Sequence, residues 1–150
     1  MNHAVVVDAT VAIKRVLAEE FTEQSRSLFS SSLRNRRPIL APPHLRSEVT
    51  NALYQRLRTT VADRRITEAE ADSALAAFLR LPITLLAPED LYVRAFAFAK
   101  IHRLPSIYDS LYIVLAETTN TELWTADRRL FNSIGTTATW VRFIGDYPQL

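Results

Sequence analysis

The sequence predicts an α/β domain built on a parallel sheet, and three observations carry that prediction. Short runs of β-branched and aliphatic residues alternate with stretches whose apolar side chains recur at three- and four-residue intervals, the pattern of strands joined by crossover helices. The chain has 150 residues, enough for one ordinary core and too few for two. Apolar residues make up 48% and charged residues 23%, a balance that folds without staples, and with no cysteine there is none to be had from disulfides.

Each element has a local cause. Residues 4–7 form an apolar run suited to a strand buried on both faces. Thr10 is then placed to cap a helix carrying Val11, Ile13, Val16 and Leu17. A polar helix follows over residues 22–34, and residues 38–41 make a second strand. Pro42 and Pro43 open a helix with Leu45, Val49, Ala52, Leu53 and Leu57 on one side. Thr67 and Glu70 have capping-box spacing ahead of Ala71, Ala74, Leu75, Phe78 and Leu79. Residues 83–86 read as a third strand, and Pro88 starts a helix reaching about residue 101. Another helix begins at Pro105-Ser106 and ends near residue 118. A fourth strand over 123–125, a short helix over 128–133 and a fifth strand over 139–143 complete the series. No repeat, low-complexity tract or linker interrupts it, so residues 1–150 read as a single domain.

Several functional classes are excluded at this point. The chain reaches Asp8 after four apolar residues, which does not make a secretory signal. An uninterrupted apolar run such as residues 111–116 falls far short of the roughly 20 residues that a bilayer span needs. The expectation is a cytoplasmic protein with no membrane association, which the absence of cysteine fits. Glycine occurs only at Gly135 and Gly145, so neither a phosphate-binding P-loop nor a dinucleotide fingerprint is present. Net charge is +2, yet sixteen of the eighteen basic residues are arginine. The guanidinium fork suits phosphate oxygens, although from the count alone codon composition is the favoured account of the bias. Contact with nucleic acid is therefore expected to be local rather than carried by bulk charge.

In an open parallel sheet, ligands gather beyond the carboxyl ends of the strands. Asp8 directly follows the first strand there, and Asp127 follows the fourth, two residues after Thr125. Asp109 lies in the first turn of the helix after Ser106, and Glu48 borders an apolar helical stripe. Each acid has a structural alternative. Asp109 completes a capping box with Ser106, Asp127 caps the short helix after it, and Glu48 serves as a solvated surface acid. Asp8 is the hardest to explain that way, because an acid ending a buried strand gains nothing unless a cleft opens beside it. If all four converge, each pair at 4 Å costs about 4 kcal/mol at an effective dielectric near 20, so protons or cations must relieve the cluster. All-oxygen ligation suits Mg²⁺ or Mn²⁺, the apparatus of phosphodiester hydrolysis. His3, His44 and His102 lack metal-ligand spacing and are assigned to surface or capping roles.

The runs VVVDATVAIK, PPHLRSEVTNAL, IYDSLYIVLAE and LWTADRRLF, in this order, resemble the PIN-domain ribonucleases, and more narrowly the VapC toxins of VapBC toxin–antitoxin pairs. The likeness extends over essentially the whole chain. It implies a three-layer PIN-like domain with a parallel sheet of about five strands flanked by helices. It also implies that Asp8, Glu48, Asp109 and Asp127 are the metal-binding acids, with Thr125 as a pocket hydroxyl. Asn51 fits an E-x-x-N pattern, and Thr10 matches the small hydroxyl residue after the first acid. The implied activity is a Mg²⁺-dependent endoribonuclease, with Mn²⁺ as a substitute, in which the metal-bound acids activate a water. The implied partners are an RNA substrate, a cognate VapB-like antitoxin and a second copy of the chain in a homodimer. Two positions depart from the pattern. Asn120 stands near where a glycine often precedes the fourth strand, and Lys14 is followed by Arg15 and Val16 instead of an aromatic residue.

Two other readings compete. A haloacid-dehalogenase-type phosphatase also places an Asp after its first strand, but it needs a second acid where this chain has Thr10 and a late lysine where none follows Lys100. A catalytically inactive PIN-like module that binds RNA or protein is the other, and the retention of all four acids argues against it.

Overall fold

The computed structural model describes residues 3–150; Met1 and Asn2 of the single predicted domain lie outside them. Five strands form one all-parallel sheet: β1 (Val5–Val7), β2 (Ile39–Ala41), β3 (Ile83–Leu85), β4 (Glu122–Thr125) and β5 (Val141–Phe143). Their spatial order is β3-β2-β1-β4-β5, with Val5 opposite both Ile39 and Glu122 and Val7 opposite Trp124. Among the described residues, seven α-helices flank the sheet: α1 (Ala9–Val16), α2 (Thr22–Arg34), α3 (Leu45–Arg58), α4 (Glu68–Leu79), α5 (Leu91–His102), α6 (Ile107–Thr118) and α7 (Arg128–Ile134). Strand and helix positions follow the sequence pattern to within a few residues. No described helix is long and apolar enough to cross a membrane.

The alternation of β1 divides the core in two. Val6 joins Leu40, Leu123 and Val141 on the face covered by α3 through α7, where Leu45, Val49, Phe78, Ala95 and the buried run of α6 pack. Val5 and Val7 face the other way, onto Leu28 and Phe29 of α2 and Ile144 near the C-terminus. All three β1 valines are buried, as a central parallel strand requires.

With two glycines in the chain, only α7 ends on one, Gly135, and other residues end the remaining helices among those described. Arg36, Arg103 and Asn120 all have positive φ, between 51° and 52°. Asn120 shows how. Its N–H bonds the Glu117 carbonyl and the Thr121 N–H bonds that of Ala116, the two bonds of a Schellman motif. Asn120 thus takes over the left-handed turn before β4. The Thr67–Glu70 capping box forms in full at the start of α4.

One expected cap is corrected. Thr10 does not cap α1, because the helix already begins at Ala9 and Asp8 is its N-cap, accepting from the Val11 N–H at 3.1 Å. An Asp carboxylate at the N-cap position outcompetes a hydroxyl that already lies within the first turn.

Candidate active site

The strand order reverses between β1 and β4, and it is there that an open α/β sheet leaves a crevice at its carboxyl end. Asp8 leaves β1 at this point and is only 5% exposed. One residue on from the Val7–Trp124 pair, it lies beside Thr125, whose side chain is fully buried. Burial pushes the Asp8 carboxyl up to about 6; the Thr10 and Thr125 hydroxyls and the Val11 N–H pull it down, and the charge on Asp109 adds to the rise. Thr10 donates to Asp8 and accepts from the Ala126 N–H at 2.8 Å, tying α1 to the turn after β4.

Asp127 caps α7 as expected, its Oδ1 accepting from the N–H groups of Arg129 and Leu130 at 3.0 and 3.1 Å. Its own N–H donates to the Thr125 hydroxyl at 3.0 Å. β4 has ended at Thr125, so this local turn brings the two residues together, not strand periodicity.

The proposed Ser106–Asp109 capping box is absent. Ser106 occupies the N-cap position of α6 but makes no side-chain cap bond, which leaves Asp109 free of that duty. Burial raises the Asp109 carboxyl above its ordinary value, the charges of Asp127 and Glu48 raise it further, and His44 offsets part of this.

Glu48 on α3 accepts from the Tyr112 hydroxyl at 3.0 Å. His44 Nε2 lies 2.7 Å from the same Glu48 oxygen, close enough for an ion pair but poorly aligned for a hydrogen bond. The His44 ring packs against Tyr112 and Tyr108 at centroid distances of 4.7 and 5.4 Å. His44 therefore belongs to the site and not to a surface or capping role: the turn at Pro42 and Pro43 swings it one helical turn from Glu48. Burial, then the charges of Glu48, Asp8 and Asp109, push the Tyr112 hydroxyl far above its ordinary range, so it stays a donor. Tyr112 was not singled out in the sequence, although it lies one turn from Asp109 on the same helix.

The four acids are thus linked through Asp109, which feels the charges of Asp127 and Glu48 and whose own charge raises Asp8. They do not form a closed cage: among the described residues no three His, Asp or Glu side chains lie close enough together to hold one ion as they stand. Among the described residues, the hydrogen bonds of Asp127 occupy Oδ1 and that of Glu48 occupies Oε1, leaving the second oxygen of each without a hydrogen bond. Hard oxygen donors whose charges raise one another fit a divalent cation. Asn51 is exposed and lines a shallow groove on the outer side of α3 with Arg46, Thr50 and Tyr54, so it is not among the acids. A larger cavity of about 610 Å³, lined by Glu19, Arg56 and Ile66 among others, includes none of the four acids.

Residues 5–135 match the family model described as PIN domain. The chain belongs to the PIN domain family. PIN domains are generally divalent-metal-dependent nucleases. The crystal structure of PAE2754 from Pyrobaculum aerophilum is similar in fold to this PIN domain, with a TM-score of 0.64 at 21% identity over 97% of this chain and 92% of that one. No curated protein matches the chain.

Proposed function

We propose that this PIN domain is a Mg²⁺-dependent endoribonuclease, with Mn²⁺ as a substitute, acting in the cytoplasm as the toxin of a VapBC-type toxin–antitoxin pair. The observation that carries the reading is the electrostatic coupling of Asp8, Glu48, Asp109 and Asp127 at the sheet's switch point. In this reading the four acids supply the carboxylate oxygens for the metal. A bound Mg²⁺ supplies an activated water and stabilises charge developing on the phosphate. The chain's own work is positioning. Thr10 and Thr125 orient Asp8, Tyr112 and His44 hold Glu48, and α7 fixes Asp127. Exposed Arg46, Arg128 and Arg129 are the cations nearest in sequence for positioning phosphates. The RNA substrate, a VapB-like antitoxin covering the pocket and a homodimer complete the proposal.

The test is cleavage of RNA by purified protein with Mg²⁺ or Mn²⁺, and sequencing of RNA ends after brief induction. Asp8→Asn and Asp109→Asn are expected to reduce cleavage at least about 100-fold, and EDTA to abolish it. Parent-like cleavage by either variant, or activity that survives EDTA, overturns the metal assignment. The open spacing of the acids favours a second reading, an inactive PIN-like binding module. RNA binding without cleavage under both metals selects it. Coexpression with the adjacent short reading frame tests the antitoxin: no copurifying small protein removes that part alone.

A further inference from the structure

α3 turns Leu45, Val49 and Leu53 into the main core. On its opposite, exposed side Ser47, Asn51, Tyr54 and Arg58 follow one another at intervals of three and four residues. His44, which meets Glu48 in the acidic crevice, stands three residues before Ser47 and begins the same stripe. From His44 to Arg58 the stripe runs about 21 Å along the helix. It is grooved: a shallow trough of about 450 Å³ lies between Arg46, Ser47, Thr50, Asn51 and Tyr54.

The charge on this face has one sign. α3 carries a single acid, Glu48, and the hydrogen bond from Tyr112 holds it at the crevice. Of the three arginines of α3, Arg56 is bound to Glu19 at 2.8 Å. Arg46 and Arg58 are exposed, and among the described residues neither has an ion-pair partner. The exposed positions of α2 and α4, by contrast, include the acids Glu23, Glu68, Glu70 and Asp72.

An aromatic ring stands open at each end of the stripe. Tyr108, beside Asp109, packs on the His44 ring at 5.4 Å and is 54% exposed. Tyr54 is exposed to the same extent, with the Arg58 guanidinium 5.7 Å from its ring centre. Between the two rings lie Ser47, Thr50 and Asn51, which are hydrogen-bonding side chains. An amphipathic peptide helix needs apolar anchors at those positions, and this face has none there. Unpaired bases need open aromatic faces, phosphates need free guanidinium groups, and ribose hydroxyls need small polar partners. The stripe offers all three, and it begins where the acids are.

We propose that the outer face of α3 is the track along which single-stranded RNA reaches the acidic crevice. Tyr108 and Tyr54 are its stacking platforms, and Arg46 and Arg58 hold phosphates. The track rests on the RNA reading of the acidic site, and its test reads binding separately from cleavage.

Binding of a fluorescein-labelled single-stranded RNA to the full chain is followed by anisotropy, with Ca²⁺ in place of Mg²⁺ to neutralise the acids. Tyr54→Ala and Tyr108→Ala are each expected to raise the dissociation constant about tenfold, whereas Tyr54→Phe and Tyr108→Phe stay within about twofold of the parent. Arg58→Gln is expected to flatten the slope of log Kd against log salt by about 0.7, the loss of one phosphate contact. A duplex of the same sequence, its base faces covered, is expected to bind at least about tenfold more weakly. In cleavage with Mg²⁺, Tyr54→Ala is expected to raise KM about tenfold with kcat little changed, a split that a purely structural role does not produce.

Parent-like affinity in both alanine variants, phenylalanine variants as weak as the alanine ones, or a duplex bound as tightly as the single strand overturns the proposal. Polyglutamate that displaces the RNA as well as polyuridine does gives the face to an acidic protein and also overturns it. RNA held through these residues but never cleaved supports the track and removes the nuclease. Cleavage indifferent to Tyr54→Ala, Tyr108→Ala and Arg58→Gln keeps the nuclease and overturns the track.

Discussion

Two groups of buried charge in this molecule use the same side-chain chemistry to opposite ends. Glu19, after α1, lies between Lys14 at 3.1 Å and Arg56 of α3 at 2.8 Å. Burial alone would raise its carboxyl, but the Arg56 hydrogen bond and the Lys14 charge outweigh that and hold it below its ordinary value. Asp8 is more deeply buried, its largest influence is also burial, and among the described residues no cation faces it, so its carboxyl rises to about 6. The cation beside the acid makes the difference. Glu19 is a fastener between α1 and α3. Asp8 keeps an unmet demand for positive charge, and Asp109 shares it with Glu48 and Asp127 as neighbours. An acid left uncompensated in a crevice is costly to the fold, and that cost is what a bound cation relieves.

Removing the Asp8 charge gives the largest effect on this contrast. Its carboxyl sits at about 6 in the fold against 3.8 ordinarily. The folded chain therefore holds the proton more tightly than the unfolded one. Stability from this group is fully present below about pH 4 and is lost as the pH rises through 6, by about 3 kcal/mol in all. In EDTA at pH 8, Asp8→Asn is expected to be more stable to urea than the parent by up to about 3 kcal/mol, and to show less loss of stability between pH 4 and pH 8. A variant less stable than the parent at pH 8 makes Asp8 a structural cap and erases the contrast.

Glu19→Gln is expected to behave in the opposite sense. Its carboxyl is lowered in the fold, so its contribution is present above the ordinary value of 4.5 and is lost as the pH falls through its folded value. At pH 7 the substitution leaves Lys14 and Arg56 half-buried without their shared partner, a loss of about 2 kcal/mol in urea unfolding, with cleavage by the folded protein unchanged. A neutral result at pH 7 shows the ion cluster to be dispensable.

Tyr112→Phe gives the smallest effect on stability. It removes one hydrogen bond to Glu48, worth about 1 kcal/mol. If that bond positions a metal-binding acid, RNA cleavage is expected to fall about tenfold in kcat. Unchanged kcat places Glu48 with the structural acids.

Much of the scaffold was legible because its causes are local. The β-branched run ending at Asp8, the polar α2 and the Thr67–Glu70 box all lie within a few residues of the features that produce them. Asn120 could be assigned its left-handed turn for the same reason. Local rules failed where two of them competed. Asp8 took the cap from Thr10, and Ser106 and Asp109 had the right spacing for a box that the helix does not form. His44 and Tyr112 escaped notice as site residues because one precedes α3 and the other lies on α6, and only the folded chain brings them together beside Glu48.

The alternation of residue types, by itself, determined which segments are strands, which are helices and which acids stand at their ends, because those depend on periods of two and 3.6 residues. The tertiary structure alone decided that β1 and β4 are neighbours, so that Thr10 meets Ala126 across 116 residues of chain and Asp8 comes to rest beside Thr125. It also decided that Glu19 lies between two cations while Asp8 lies among hydroxyls and another acid. Pairing of distant strands is settled by burial of whole faces at once, and no short window of sequence carries that sum.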